Sequence, residues 1–212
     1  MQFRDRREAG QKLAEALSFL QGQKDVLVLG IPRGGVVVAA EVARALGAPL
    51  DVFITRKIGA PGNPELAIGA VASSGELVID EGLVLGLGVS PRYVEEETER
   101  QKQEIARQMT LYRGHRPPPQ LTGKTVVLID DGVATGATTL AALRALRASA
   151  PAELILAIPV GPPDTVERLS AEADRVVCLH TPAWFWAVGA FYEDFSQTPD
   201  EEVIRLLQEM AG

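Results

Sequence analysis

Five short runs of nearly continuous Val, Ile and Leu constrain this chain more than any other feature: Val26–Gly30, Leu50–Thr55, Thr125–Asp130, Leu154–Val160 and Arg175–Leu179. Apolar runs without polar alternation predict strands buried on both faces, as in a parallel sheet. Helical stretches at Gly35–Leu46, Thr138–Ser149 and Pro163–Ala173 separate them, which is the pattern of βαβ units. An amphipathic helix at Glu8–Leu20 leads in, and another at Glu201–Met210 closes the chain. The expected fold class is therefore α/β, with a doubly wound, mainly parallel sheet. Leu66–Ala72 and Glu76–Ile79 read as an extra pair of strands around a Ser-Ser-Gly turn. Arg92–Arg113 is a strongly charged helix, read as a solvated face, and Pro117–Pro119 is a connector.

The 212 residues, 46% of them hydrophobic, fit one α/β domain with an appended flap, or at most two small domains. A net charge of −7 argues against non-specific nucleic-acid binding, which needs a basic footprint. It leaves room for a small anion held by helix N-termini and a few local arginines. The lone Cys178 allows no intramolecular disulfide and, beside Val176, Val177 and Leu179, reads as core. No apolar run reaches the ~20 residues that span a bilayer, and Met1–Arg7 lacks the apolar stretch of a signal peptide. These features point to a cytoplasmic protein with no nucleic-acid or membrane partner.

Chemistry concentrates in one segment, Val126-Val127-Leu128-Ile129-Asp130-Asp131-Gly132-Val133-Ala134-Thr135-Gly136-Ala137-Thr138-Thr139. An apolar strand ends in two adjacent carboxylates, and a small, hydroxyl-rich turn then opens a helix. Ligands of open α/β sheets bind beyond the carboxyl ends of strands. A helix N-terminus there presents unpaired N–H groups and partial positive charge to a phosphate. The two acids would repel a phosphate beside them, but they suit sugar hydroxyls a few ångströms away. Ribose 5-phosphate has that shape. Helix capping alone would also use Asp and Thr, yet it needs fewer than two acids and three threonines.

This stretch resembles the phosphoribosyl-pyrophosphate motif of type I phosphoribosyltransferases: apolar strand, two acids, then Thr-Gly-x-Thr. The resemblance implies that Asp130 and Asp131 hold the ribose hydroxyls and form the catalytic pair. It implies that Ala134, Thr135, Gly136, Ala137, Thr138 and Thr139 surround the 5′-phosphate. Gly30-Ile31-Pro32-Arg33-Gly34-Gly35 resembles the pyrophosphate loop of the same family, with Arg33, Gly34 and Gly35 as its ligands and a non-proline cis peptide expected at Arg33–Gly34. Arg56-Lys57 resembles the Arg-Lys pair of the adenine and orotate types, ahead of a short segment, Gly59–Pro64, where a mobile loop would stand. The match runs in order and spacing from Val26 to Val160 and implies a type I sheet.

Further expectations follow from the same resemblance. The core would cover about residues 22–180, the hood about 1–21 and 181–212, and a helical insertion about 90–116, all in a single domain. The reaction would move ribose 5-phosphate from phosphoribosyl pyrophosphate to a small-molecule acceptor with Mg²⁺, which Asp130 and Asp131 would hold indirectly through ribose hydroxyls or water. Trp186 would stack on the acceptor and Glu193 would follow as an acid. A homodimer is compatible with this reading. Ala134 replaces the aspartate that precedes Thr-Gly in hypoxanthine-guanine enzymes, which argues against the 6-oxopurine class. A non-catalytic sensor of phosphoribosyl pyrophosphate, a transferase for another kind of acceptor, and an unrelated nucleotide-binding fold stand as alternatives.

Other signals carry less. Gly123-Lys124-Thr125 mimics the end of a P-loop, but Pro118 takes the required glycine position and the segment precedes a strand. No Gly-x-Gly-x-x-Gly follows a strand, and His115 and His180 have no cysteine partners for zinc.

Overall fold

The computed structural model describes residues 1–211; Gly212, the last residue of the expected hood, lies outside the described residues. The order is α1 (Arg6–Ala16), β1 (Val26–Gly30), α2 (Gly34–Leu46), β2 (Leu50–Val52), β3 (Thr55–Ala60), β4 (Asn63–Ala72), β5 (Leu77–Ile79), α3 (Glu81–Gly86) and α4 (Pro91–Arg113). Then follow β6 (Thr125–Ile129), α5 (Ala137–Ala148), β7 (Glu153–Val160), α6 (Pro163–Ser170), β8 (Arg175–His180) and α7 (Asp200–Glu209). A 3₁₀ turn at Ser18–Leu20 extends α1, and another spans Val188–Phe191.

Five strands form the expected parallel sheet, in the order β2-β1-β6-β7-β8. β8 closes one edge and is only partly buried, so the expected double burial fails for Arg175–Leu179. Alternate residues of the buried β1, β6 and β7 serve two separate cores. Val26, Val28, Val127, Ile129 and Ile155 face α1, α2 and α7, whereas Leu27, Leu29, Leu128, Leu154 and Leu156 face α5 and α6. Burial on both faces is why the strands read as unbroken apolar runs.

The expected strand Leu50–Thr55 is two elements. β2 ends at Val52, the Phe53 N–H donates to Gly30 O at 3.0 Å, and Thr55 begins a second sheet of order β3-β4-β5. Its strands are antiparallel and β4 is longer than expected. Pro61 and Gly62, the latter at φ +72°, turn β3 directly into β4, so the expected Gly59–Pro64 loop is a hairpin end. Gly59 must lack a Cβ, because one would stand 2.7 Å from Pro64 O.

Helix α4 also departs from expectation. It is capped by Ser90, whose hydroxyl accepts from Tyr93 N at 3.1 Å, with Pro91 at its first position. Although strongly charged, it is not merely a solvated face: Glu97, Thr98, Ile105, Tyr112 and Arg113 are buried where it packs on the second sheet and α7. Arg113 Nε donates to Asp51 Oδ1 at 2.7 Å, joining its C-terminal turn to β2. The two chain ends meet beyond the main sheet. Phe3 N donates to Phe191 O and Glu193 N to Phe3 O, both at 2.8 Å, and Phe3, Tyr192 and Val160 share a small core.

Candidate functional site

β1 and β6 are neighbours, yet the chain leaves β1 through α2 toward β2 and leaves β6 through α5 toward β7. The two helices lie on opposite faces. The crevice between β1 and β6 is thus a topological switch point, where open α/β sheets bind ligands. Both informative loops open there, and they touch. A Cβ on Gly35 would stand 2.9 Å from Asp130 Cα, and one on Gly34 would collide with Asp131 Oδ2. The glycines thereby let the N-terminus of α2 approach the acids. A cis peptide is present in this loop, one bond earlier than expected, at Pro32–Arg33 rather than Arg33–Gly34.

The two acids have different surroundings. Asp131 Oδ2 accepts from Arg6 Nε at 2.8 Å, with the two side chains 16% and 12% exposed. Asp130 Oδ1 accepts the Asp131 N–H at 2.8 Å. Although part of Asp130 reaches solvent, burial pushes its carboxyl well above the usual carboxylate range, and the charge of Asp131 pushes the same way. The Tyr192 hydroxyl donates to Asp131 O at 2.7 Å, and burial holds that phenol above its ordinary range, so it remains a donor.

After the acids the chain turns through Gly132 and Gly136, both at positive φ. Gly136, left-handed at φ +74°, is the N-cap of α5, and no side chain caps that end. Its first N–H groups are therefore open to an anion. Ala134, Thr135, Ala137 and Thr138 are exposed around it, whereas Thr139 is buried in the first helical turn. The turn is braced from α6: Thr165 Oγ1 donates to Ala134 O at 2.9 Å, and Arg168 donates to Thr135 O.

The remaining expected residues divide. Arg33 is half-buried at the N-cap of α2. Strand alternation separates Arg56 from Lys57. Arg56 Nε donates to Gln101 on α4 at 2.6 Å, whereas Thr55, on the Lys57 face, reaches Thr138 O at 3.4 Å. Lys57 itself pairs with Glu65 at 2.9 Å. Trp186 is 88% exposed and stacks on no ring among the described residues, and Glu193 is exposed.

Arg6, Tyr192, Thr165 and Arg168 were missed by sequence reasoning. Each lies 30 or more positions from its partner, and nothing in its local pattern marks it. Among the described residues no group of three or more His, Cys, Asp or Glu is placed to hold a metal, and no helix is long and apolar enough to cross a membrane. A groove of about 900 Å³ lies elsewhere, between β5 and α4.

The sequence matches the family described as "Phosphoribosyl transferase domain" over residues 2–196. A protein of Thermus thermophilus, TT1426, known as a crystal structure, is 50% identical and superposes with a TM-score of 0.88, each chain covered fully. Two Mycobacterium tuberculosis proteins, from strains CDC 1551 and H37Rv and named provisionally as phosphoribosyl transferases, are each 46% identical over 205 residues. That match takes in 97% of this chain but 46% of theirs, so the chain spans just under half the length of these relatives. The chain belongs to the phosphoribosyl transferase domain family.

Proposed function

We propose that this chain binds phosphoribosyl pyrophosphate in the crevice between β1 and β6 and transfers its ribose 5-phosphate group to a small-molecule acceptor, releasing pyrophosphate. The observation that carries this reading is the Asp130–Asp131 pair set between the N-termini of α2 and α5. The acids suit the 2′ and 3′ hydroxyls. The uncapped start of α5, with Thr135 and Thr138, suits the 5′-phosphate. Arg33 and the α2 N-terminus, with Gly34 and Gly35, suit the pyrophosphate, and Lys57 adds charge on the Thr138 side. Arg56, turned toward α4, would support the hairpin rather than touch the ligand.

As the bond from C1′ to the leaving oxygen lengthens, positive charge grows on the sugar and negative charge on pyrophosphate. Asp130 and Asp131 hold the sugar, and the charge of Asp131 favours the first; Arg33 and the helix dipole favour the second. Two carboxylates in place of a closed cage fit Mg²⁺, an ion that keeps waters and substrate oxygens as ligands. Its chemistry there is to neutralise the leaving pyrophosphate. Trp186 would serve a flat acceptor only as an exposed platform at the hood edge.

The test is pyrophosphate release from Mg²⁺-phosphoribosyl pyrophosphate across a panel of bases and amines. Release dependent on one acceptor supports the enzyme and identifies the acceptor. Calorimetric binding without release favours the sensor reading, for which Ala134 in place of an acid is the specific observation. Equal affinity of wild type and Asp131→Asn sinks the site.

A further inference from the structure

We infer that Arg6, carried on the N-terminal helix, is a positioning residue that sets the geometry of Asp131 and couples the hood to the ribose site. This rests on the reading of Asp131 as a ribose ligand. Three contacts converge on one guanidinium. Its Nε donates to Asp131 Oδ2 at 2.8 Å, its Nη1 donates to Ser196 O at 2.7 Å, and its Cζ lies 4.0 Å from the centre of the Phe195 ring. The fork therefore bridges a site carboxylate in the core to the backbone and an aromatic of the C-terminal hood.

The bridge is built in rather than incidental. Arg6 and Asp131 are largely shielded, and a cation–carboxylate pair of this kind gains orientation as well as attraction. Gly34 leaves the space it occupies, since a Cβ there would fall 2.5 Å from Arg6 Nε. The Asp131 peptide carbonyl is held from the same hood by Tyr192. The Arg6 bond to Oδ2 leaves the remaining lone pairs of the carboxylate for a sugar hydroxyl and fixes its orientation, so the rotamer of Asp131 is set by a residue 125 positions away.

Outer residues that orient a ligating group characteristically lower affinity by about 10–100-fold when removed. Titration calorimetry with Mg²⁺-phosphoribosyl pyrophosphate should therefore show Arg6→Gln about tenfold weaker than wild type. Arg6→Lys, which keeps the charge but cannot bridge Asp131 and Ser196 together, should lose less. In an Asp131→Asn background, Arg6→Gln should cause no further loss, because its effect passes through that carboxylate. Additive losses would overturn the inference in favour of direct ligand contact, and so would wild-type affinity in Arg6→Gln. Should Arg6→Gln fail to fold, wild-type affinity in Arg6→Lys would overturn the bridge by itself. If wild type does not bind phosphoribosyl pyrophosphate, the proposed function falls and the inference with it; binding by wild type with unaltered Arg6 variants removes this inference alone.

Discussion

The hydroxyl of buried Tyr192 donates to the carbonyl of Asp131 across 2.7 Å, joining the C-terminal segment to the backbone after β6. Tyr192→Phe removes the donor while keeping the ring against Phe3 and Phe195. The partly buried carbonyl then loses its partner, at a cost of about 1 kcal/mol. Urea unfolding should show a lower midpoint with an unchanged slope.

Asp130 gives a pH signature. Burial makes its carboxyl hold a proton more readily in the fold than in the unfolded chain. Its contribution to stability is whole below the unfolded carboxylate value and is lost as pH rises through the higher folded value. Asp130→Asn keeps an oxygen for the Asp131 N–H and has no such loss. It should melt above wild type at about pH 8, with the difference closing near pH 4, while binding phosphoribosyl pyrophosphate less well. A lower melting temperature than wild type at the higher pH would contradict this.

Thr165→Val tests the brace behind the turn proposed to take the 5′-phosphate. Valine fills the same buried volume but cannot donate to Ala134 O. The bond is worth about 1 kcal/mol, or roughly fivefold in affinity for ribose 5-phosphate if the turn loosens in the free protein. Affinity for inorganic pyrophosphate, expected at the other loop, should be unaltered.

Gly136→Ala acts on the same turn through the backbone. At φ +74° a side chain is strained, and its Cβ would come within 2.8 Å of Thr165 Cγ2. A loss of about 1–2 kcal/mol in unfolding free energy is expected from the left-handed conformation, with a further cost from the contact.

The Asp51–Arg113 pair is buried, with side chains 9% and 6% exposed. Asp51→Asn leaves a guanidinium without its counter-charge and should destabilise the protein by about 3–5 kcal/mol. The double variant Asp51→Asn/Arg113→Met should recover part of that loss, read from chemical denaturation.

The glycine-threonine turn at the start of α5 and the parallel sheet were legible because their signals are local. A doubly buried strand needs an unbroken apolar run, and a tight turn into a helix needs small residues, so Val126–Thr139 shows both in fourteen consecutive positions. The hairpin was partly hidden. Leu50–Thr55 is apolar across a sheet change, and only the hydrogen bonds of Phe53 and Ile54 separate its halves. The burial of α4 was hidden as well. Its charges describe one face, whereas Ile105 and Tyr112 meet partners supplied by other elements.

The sequence by itself determined the strands of the parallel sheet and the long helices between them, the two anion-ready turns and the adjacent acids, since each follows from neighbouring residues and short-range backbone chemistry. Tertiary structure decided what those groups touch. It set Arg6 on Asp131, Tyr192 on the Asp131 carbonyl and Thr165 behind Ala134, parted Arg56 from Lys57, and left Trp186 in solvent. Burial and pairing between distant segments depend on how whole elements pack, and no local pattern encodes that.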